Sequence, residues 1–449
     1  MNRKIWNISM FILSFTLSNF ISGIIYDTYV NYLHEVNLEV ATSFWSYYGY
    51  ATFISAFLLL LIPKIGYKKT LFLCPITCIF ALVAVLYLKI PAIYSISSLL
   101  SLVGLQLHYA ILAPFIAAYT TEENKTKWYS RTYYIGYSGW LITTYLGGMF
   151  TVQRFASRLG VSLSKAKDLT KFLDKLLPQE KSTYLLANKD VLFLTLIISI
   201  ISIFPIFFLK ENIEDFQSSE EKIPLKIKFK NIISSISNKY ALFYIIYWSL
   251  ISFGMGLFTP YYTVFLNRNL HIDKATSSLL LSISYIALVI FMIFTEKVVK
   301  KYGQIVTLGG VSILAIPFML IIANGNSFGK YMIPAVGVAL FFRCGLMNLG
   351  YPVDSSLPME LVKKELRPAY SSLIFIISGL ASILSGWYTK NFLFVSQNGY
   401  KSAYYVAGAI YLVASIMLFI IFFKKYNRSN TIEEVEVNKV DLSSELKEV

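Results

Sequence analysis

The sequence predicts an all-α integral membrane protein whose twelve spanning helices form two pseudo-symmetric six-helix bundles. Three observations carry this reading. Of the 449 residues 56% are hydrophobic and only 14% charged, with a mean hydropathy of +0.59, whereas a soluble chain carries about 25% charge. The apolar residues gather at 5–27, 43–62, 71–88, 91–118, 132–152, 191–209, 241–266, 275–295, 305–324, 331–353, 370–389 and 402–423, and each stretch is near the roughly 20 residues that cross a bilayer as a helix. They are helices rather than strands because a segment in lipid must satisfy its own backbone. Finally, the first six stretches echo the last six at a nearly constant offset.

Taken in order, span 1 is too long for a removable signal and lacks a small-residue cleavage site, so it is a retained helix. Basic residues cluster after the even-numbered spans: Lys64, Lys68 and Lys69 after span 2, Lys125, Lys127 and Arg131 after span 4, Lys297, Lys300 and Lys301 after span 8, Lys363, Lys364 and Arg367 after span 10, and Lys424, Lys425 and Arg428 after span 12. Arg3 and Lys4 precede span 1. The positive-inside rule then places both termini in the cytoplasm and the chain in the cell membrane. The net charge of +15 is read as this orientation signal, with no nucleic acid as partner. The many Lys, Ile, Asn, Phe and Tyr residues point to an AT-rich bacterial genome.

One loop departs from the charge pattern. Residues 153–190 follow span 5, on the outer side, yet carry eight Lys or Arg against four acids. Within them Leu163, Ala166, Leu169, Phe172, Leu173, Leu176 and Leu177 recur at helical spacing up to Pro178, which predicts an amphipathic helix on the outer surface. The domains expected are a bundle at 1–209, a cytoplasmic linker at 210–240 that is partly helical, a second bundle at 241–424 and a disordered tail at 425–449. From Asn427 onward the tail has three basic and six acidic residues, too little apolar surface to fold. Cys74, Cys78 and Cys344 lie inside spans. Cys74 and Cys78 share a helix face, but no His or carboxylate is close in sequence, so they read as packing thiols and no metal or cofactor is expected.

The repeat is specific in place. KIGYKKT at 64–70 corresponds to KYGQIVT at 301–307, an offset of 237 from Lys64 to Lys301. Pro114, Glu122 and Lys125 correspond to Pro352, Glu360 and Lys363, each at an offset of 238. Parallel six-helix repeats about an axis along the membrane normal are a transporter architecture. With these basic glycine turns after spans 2 and 8, the central linker, and PMELVKKELRPAYSSL at 358–373, the chain resembles the major facilitator superfamily over nearly its whole length. It departs from the family pattern at two places. After span 2, Pro63 stands at the acidic position and Leu59 at the first glycine, so the carboxylate that locks the inner gate is missing. On span 5 only Gly147 and Gly148 remain of the antiporter signature.

A transporter of this kind needs polar groups near the membrane midplane, facing a cavity. Arg343, in the middle of span 10, is the costliest residue to bury in lipid. It is read as contacting substrate, with Met347, Gly350 and Asp354 on its face and Asn348 beside it. Gln106 and His108 on span 4, and Trp140, Tyr247 and Trp248 on spans 5 and 7, complete the expected substrate site. Asp27 and His108 are the candidate proton carriers. Gly254, Gly256 and Pro260 mark a flexible outer half of span 7 suited to an extracellular gate. Lys64, Gly66, Lys68, Lys69, Glu122, Gly303, Asp354, Glu360 and Arg367 are the expected inner gating residues. Each also has a plainer reading as packing or loop charge. The preferred function is a secondary active transporter, not an enzyme: a monomer in the bilayer that moves a small molecule by alternating access, coupled to protons, with efflux the favoured direction. The alternatives are a proton-coupled importer of a small anionic metabolite, which Arg343 would favour, and a non-transporting receptor or scaffold on the same fold.

Overall fold

The computed structural model describes residues 3–59, 61–88, 90–216, 238–362, 366–396 and 398–427; the side chains of 122–127, 130, 355, 359, 368 and 369 lie outside this description. Among the described residues twelve helices span the molecule. In the first bundle they are α1 (Arg3–Val36), α2 (Phe44–Leu59), α3 (Tyr67–Tyr87), α4 (Pro91–Tyr119), α5 (Glu122–Leu159) and α6 (Pro178–Phe207). In the second they are α7 (Lys239–Arg268), α8 (Lys274–Tyr302), α9 (Gln304–Ala323), α10 (Met332–Leu349, continued by Tyr351–Leu361), α11 (Arg367–Tyr388) and α12 (Gly399–Tyr426). Ten of the twelve are long and apolar enough to cross a membrane by themselves. The other two are α2, with 16 residues, and α5, which has 38 and opens on a polar turn.

Each bundle buries an aromatic core. Phe11, Phe15, Ile111 and Phe115 fill the terminal half of the first bundle; Tyr244, Phe258, Leu308, Tyr404 and Tyr411 fill the second. The opposite sides of the same helices present Phe57, Phe80, Phe204 and Ile420, all well exposed, where lipid rather than water is the solvent.

The two copies of the repeat close their second turn the same way. Gly66 (φ 88°) and Gly303 (φ 92°) precede α3 and α9 in a backbone conformation that L side chains avoid. A Cβ on Gly66 would collide with Glu211 at 2.4 Å, and one on Gly303 with the Asn427 carbonyl at 2.2 Å. Those neighbours cap the helices. The Glu211 carboxylate accepts from the Tyr67 and Lys68 amides at 2.5 and 3.2 Å, while Asn427 accepts from Gln304 N at 2.7 Å and Val306 N at 3.0 Å. A carboxylate at a helix N-terminus satisfies orphan donors and the helix dipole. Glu211, just beyond the end of α6, thus caps α3 within the first bundle. Burial raises the Glu211 pKa, against the pull of these two amides.

The outer segment differs from expectation. Because α5 runs on to Leu159 and α6 starts at Pro178, only 160–177 lies between them. Its helix, Leu163–Thr170, is capped by Ser162 and does not lie free on a surface. Ala166 and Thr170 are fully buried, because Thr170 O accepts from Asn267 at 2.7 Å and Asp174 pairs with Arg268 at 2.7 Å. The segment is pinned to the second bundle by polar contacts that its own periodicity does not reveal. The predicted helicity of most of the linker (217–237) and the predicted disorder of the tail from Arg428 fall outside the described residues.

Candidate functional site

Two helix pairs bring the bundles together, α2 with α11 and α5 with α8. Small residues make this possible, as they do where membrane helices approach closely. A Cβ on Gly386 would come within 2.3 Å of Ser46 N, and one on Gly148 within 2.1 Å of Ser278 Oγ. Ser46 donates to Ile383 O at 2.9 Å and Ser282 to Leu141 O at 2.8 Å, each across the interface.

The sharpest feature of this interface is a buried ion pair. Lys274, at the first turn of α8, places Nζ 2.7 Å from Asp27 Oδ1, and Ser278 Oγ donates to Asp27 Oδ2 at 2.9 Å. The Lys274 and Asp27 side chains are 0% and 2% exposed. Asp27 sits in a π-helical turn, Ile25–Tyr29, inside α1; such turns are rare and are frequently found at functional sites. Further out, more pairs join the bundles. Asn31 donates to Thr263 at 2.8 Å, Glu35 pairs with Arg268, His34 Nε2 meets Tyr400 Oη at 2.6 Å, and Lys390 pairs with Glu39 at 2.5 Å. Tyr261 and Thr389 both donate to Thr42 O, at 2.8 and 2.9 Å. All of these lie on the face opposite the termini, and that face is closed.

Nearer the midplane the interface is aromatic. Tyr26 stacks on Trp140 with centroids 5.0 Å apart and planes 10° apart; Trp45 stacks on Tyr48 at 4.0 Å and 4°. Gln106 of α4 lies close to both Tyr26 and Tyr48. Trp140 meets Tyr285 of α8 edge-on at 5.8 Å, and Trp45 closes the far side against Gly256 of α7. Toward the terminal face, Tyr109 donates to Asn19 at 2.6 Å. Tyr351 of α10 lies near Tyr48, Tyr133 and Tyr137 of the other bundle and is 48% exposed. The region between the two bundles here is referred to as the cleft. On α8, Lys274, Ser278, Ser282 and Tyr285 form one stripe at helical spacing, running from the ion pair to the aromatic cluster.

The structure sorts the residues expected from sequence. Gln106, Trp140 and Asp27 lie at the interface. His108 does not: two residues beyond Gln106 it is turned by about 200°, and it packs edge-on against Phe11 and Phe15 in the first bundle's core, 3.5 Å from Ser14 Oγ. Arg343 likewise packs within its own bundle. It is 5% exposed inside the second bundle, with its guanidinium 4.6 Å from the Phe258 ring and 5.8 Å from Tyr262, and donates to Tyr411 at 3.4 Å. Aromatic faces take the place of a counter-ion, an arrangement worth about 2 kcal/mol or more when desolvated. Tyr247 is buried beside Tyr244, Trp248 packs on the same core, and Asn348 bonds back to Cys344 O of its own helix at 2.8 Å. These three build the second bundle rather than the cleft.

Of the expected inner-gate residues, Lys68, Asp354 and Glu360 make their described contacts within their own bundle. Lys68 donates to Phe207 O and Leu209 O at 2.7 and 2.9 Å, ending α6; Lys64 and Lys69 are exposed. Glu360 accepts from Gln304 at 3.0 Å, and Asp354 from Tyr244 at 3.2 Å. Gly66 and Gly303 shape turns. Arg367 is half-buried at the start of α11, and the Glu122 side chain lies outside the described residues. In α7, Gly254 makes room for Tyr411 and Gly256 for Trp45. Pro260 breaks the helix into a 3-10 turn, Thr259–Tyr261, on the closed face. Lys274 and the Arg268–Glu35 pair were missed in the sequence because they sit at span edges, where basic residues read as loop charge.

The family model of the Major Facilitator Superfamily matches residues 189–386 and 250–448. No curated protein matches the chain. Among solved structures, the nucleoside transporter NupG superposes with a TM-score of 0.72 at 15% identity, covering 94% of this chain and 100% of that one. A D-xylose-proton symporter gives 0.66 at 13% identity, covering 92% and 97%, and the E. coli fucose:proton symporter FucP gives 0.60 at 12%, covering 93% and 99%. At such identities the likeness establishes the fold alone. With a family model matched over more than half of the chain and twelve helices arranged as two packed repeats, this protein belongs to the Major Facilitator Superfamily, a multi-pass membrane transporter.

Proposed function

We propose that the protein is a proton-coupled secondary transporter of a small molecule, working by alternating access, with Asp27 as the coupling carboxylate and Lys274 as its partner. The observation that carries this reading is the buried Asp27–Lys274 pair between α1 and α8. A charge pair stripped of water is stable only while both members are charged and together. A proton on Asp27 removes half of it and releases the closed face. When the face closes again, the Lys274 ammonium displaces that proton into the cleft. One proton thereby crosses per closure, and the conformational change is driven by a differential interaction with the two states, as any coupled transition requires.

Basic residues at the terminal ends of the helices support a cytoplasmic position for both termini, which makes the closed face the outer one. The efflux direction read from sequence rested on absent sugar-porter signatures. The outward position of Asp27 supports uptake instead, as do two structural relatives that are proton symporters. The anionic substrate suggested by Arg343 loses its support, since that guanidinium is packed inside the second bundle. The test is transport into proteoliposomes under an imposed inward proton gradient. The parent should accumulate solute above equilibrium, and Asp27→Asn should keep exchange but lose accumulation. Accumulation that ignores the gradient would sink the proposal.

A further inference from the structure

We infer that the outer segment between α5 and α6 is a latch: the first bundle carries it, it seats on the α7–α8 turn of the second, and Thr170 within it positions Lys274 for Asp27 while the outer face is closed. This role rests on the alternating-access reading. The segment is fastened to its two neighbours by different chemistry. Against α5 and α6 it is apolar: Ala166 and Leu173 are buried in one cluster with Val152, Phe155, Tyr184 and Ala187. Among the described residues, Ala275 of α8 is that cluster's single member from the second bundle. The other ties to the second bundle are polar. Asn267 of α7 donates to Thr170 O at 2.7 Å, the Lys274 amide of α8 donates to Thr170 Oγ1 at 3.3 Å, and Arg268 pairs with Asp174 at 2.7 Å. Parting an apolar contact exposes its surface to water and loses its stabilisation. A hydrogen bond or an exposed ion pair exchanges its partner for water at small net cost. The segment therefore stays with the first bundle and leaves the second when the outer face opens.

Thr170 is a positioning residue. The Lys274 amide belongs to the first turn of α8, where backbone donors have no partner within the helix, and the Thr170 hydroxyl takes it. Asn267 donates a second bond, to Ile272 O at 2.9 Å, so one carboxamide ties the latch to the turn it covers. Within that turn His271 has φ 53°, the left-handed region, where no other described non-glycine residue lies. Its ring is 4.7 Å from that of Phe172 on the latch. Such a backbone is disfavoured outside glycine and persists where its surroundings hold it. Arg268 is held from a second side by Glu35 of α1, which also pairs with Lys181 of α6. The turn fixed in this way delivers Lys274 Nζ to Asp27 at 2.7 Å. Lifting the latch frees the turn and, with it, the position of the ammonium.

The experiment uses the full chain in lipid nanodiscs, with Cys74, Cys78 and Cys344 changed to serine and one reporter cysteine at a time labelled by an impermeant maleimide. The reporters are Ala275→Cys, on the second bundle's side of the seat, and Ala166→Cys, on the latch's anchored side; both positions are buried. Thr170→Val leaves the Lys274 amide without a partner only while the latch is down. The labelling rate at 275 should therefore rise roughly 5- to 150-fold, Thr170→Ser should restore the parent rate, and the rate at 166 should stay low throughout. Hydrogen exchange over 267–276, without any reporter, should quicken in Thr170→Val and not in Thr170→Ser. A rate at 275 and an exchange pattern that both ignore Thr170→Val would overturn the latch. Rates at 275 and 166 that rise together would also overturn it, because the segment would then unfold rather than lift. Asp27→Asn separates this inference from the reading it rests on. A response at 275 to Asp27→Asn but not to Thr170→Val removes the latch and leaves the ion pair; a response to Thr170→Val alone keeps the latch and removes the ion pair as the lock.

Discussion

Replacing Lys274 by alanine strands the Asp27 carboxylate at the interface and should open the outer face. The pair is 2.7 Å long with both side chains at most 2% exposed. At an effective dielectric constant of about 20 the gross attraction is about 6 kcal/mol, much of it offset by desolvation. Stranding one buried partner costs about 3–5 kcal/mol. At about 1.4 kcal/mol per tenfold, the closed-to-open ratio falls roughly 100- to 3,000-fold. Thr42 is a suitable reporter: it is 5% exposed beneath the outer seal, at the end of a short helix, Leu38–Thr42, and its hydroxyl donates to Leu38 O and Glu39 O of that helix. In a background with Cys74, Cys78 and Cys344 changed to serine, Thr42→Cys is labelled from outside by an impermeant maleimide. The labelling rate should rise at least about 100-fold in Lys274→Ala. The double variant Asp27→Asn/Lys274→Ala strands no charge, so its effect should be well below the sum of the two single effects. A Lys274→Ala rate indistinguishable from the parent, or single effects that simply add, would refute the lock.

Three further outcomes follow from other parts of the molecule. Gly66→Ala and Gly303→Ala force a Cβ into a left-handed turn and against Glu211 or Asn427; each should cost about 1–3 kcal/mol, read as a lower thermal midpoint, whereas Gly310→Ala, with only a methyl 4.0 Å away, should not destabilise. Arg343→Met should leave substrate affinity unchanged and stability nearly so, because an apolar side chain of similar size replaces an ion held by rings; loss of affinity in a binding assay would return Arg343 to the substrate site. At the terminal face, burial raises the Asp215 pKa, but the Arg3 guanidinium at 2.5 Å, the Asn212 amide and the Tyr119 hydroxyl more than offset it, and the net direction is down from 3.8. Stability from a depressed carboxylate is present above its unfolded pKa and lost as pH falls through the folded one. The difference in thermal midpoint between the parent and Arg3→Ala should therefore be constant from neutral pH to about 5, begin to fall near the unfolded value of about 3.9 and vanish only below the still lower folded pKa, its size at most about 1 kcal/mol for a pair this exposed.

Much of the architecture is legible in the residues because lipid imposes it one helix at a time. Apolar length, the need for each segment to satisfy its own backbone, and the basic residues after alternate spans act locally, so the helices and their repeat appear without knowledge of contacts. Gly66 and Gly303 were recognisable as turn residues for the same reason. The site was only half legible. Asp27, Gln106 and Trp140 stood out as polar or amphipathic groups in apolar surroundings. What each one faces depends on rotation about its helix axis and on neighbours more than 100 residues away. Gln106 and His108 are two residues apart, yet one faces the cleft and the other the bundle core.

The sequence by itself therefore determined that this chain spans the membrane with twelve helices in two related halves, since hydropathy and periodicity are properties of single segments. Only the tertiary structure decided which charges are partners. Lys274 became the counter-ion of Asp27, Glu211 became the cap of α3, and Arg343 found aromatic faces where a substrate had been expected. A buried charge takes its role from whatever desolvated group lies within a few ångströms, and that distance is set by the packing of the whole chain.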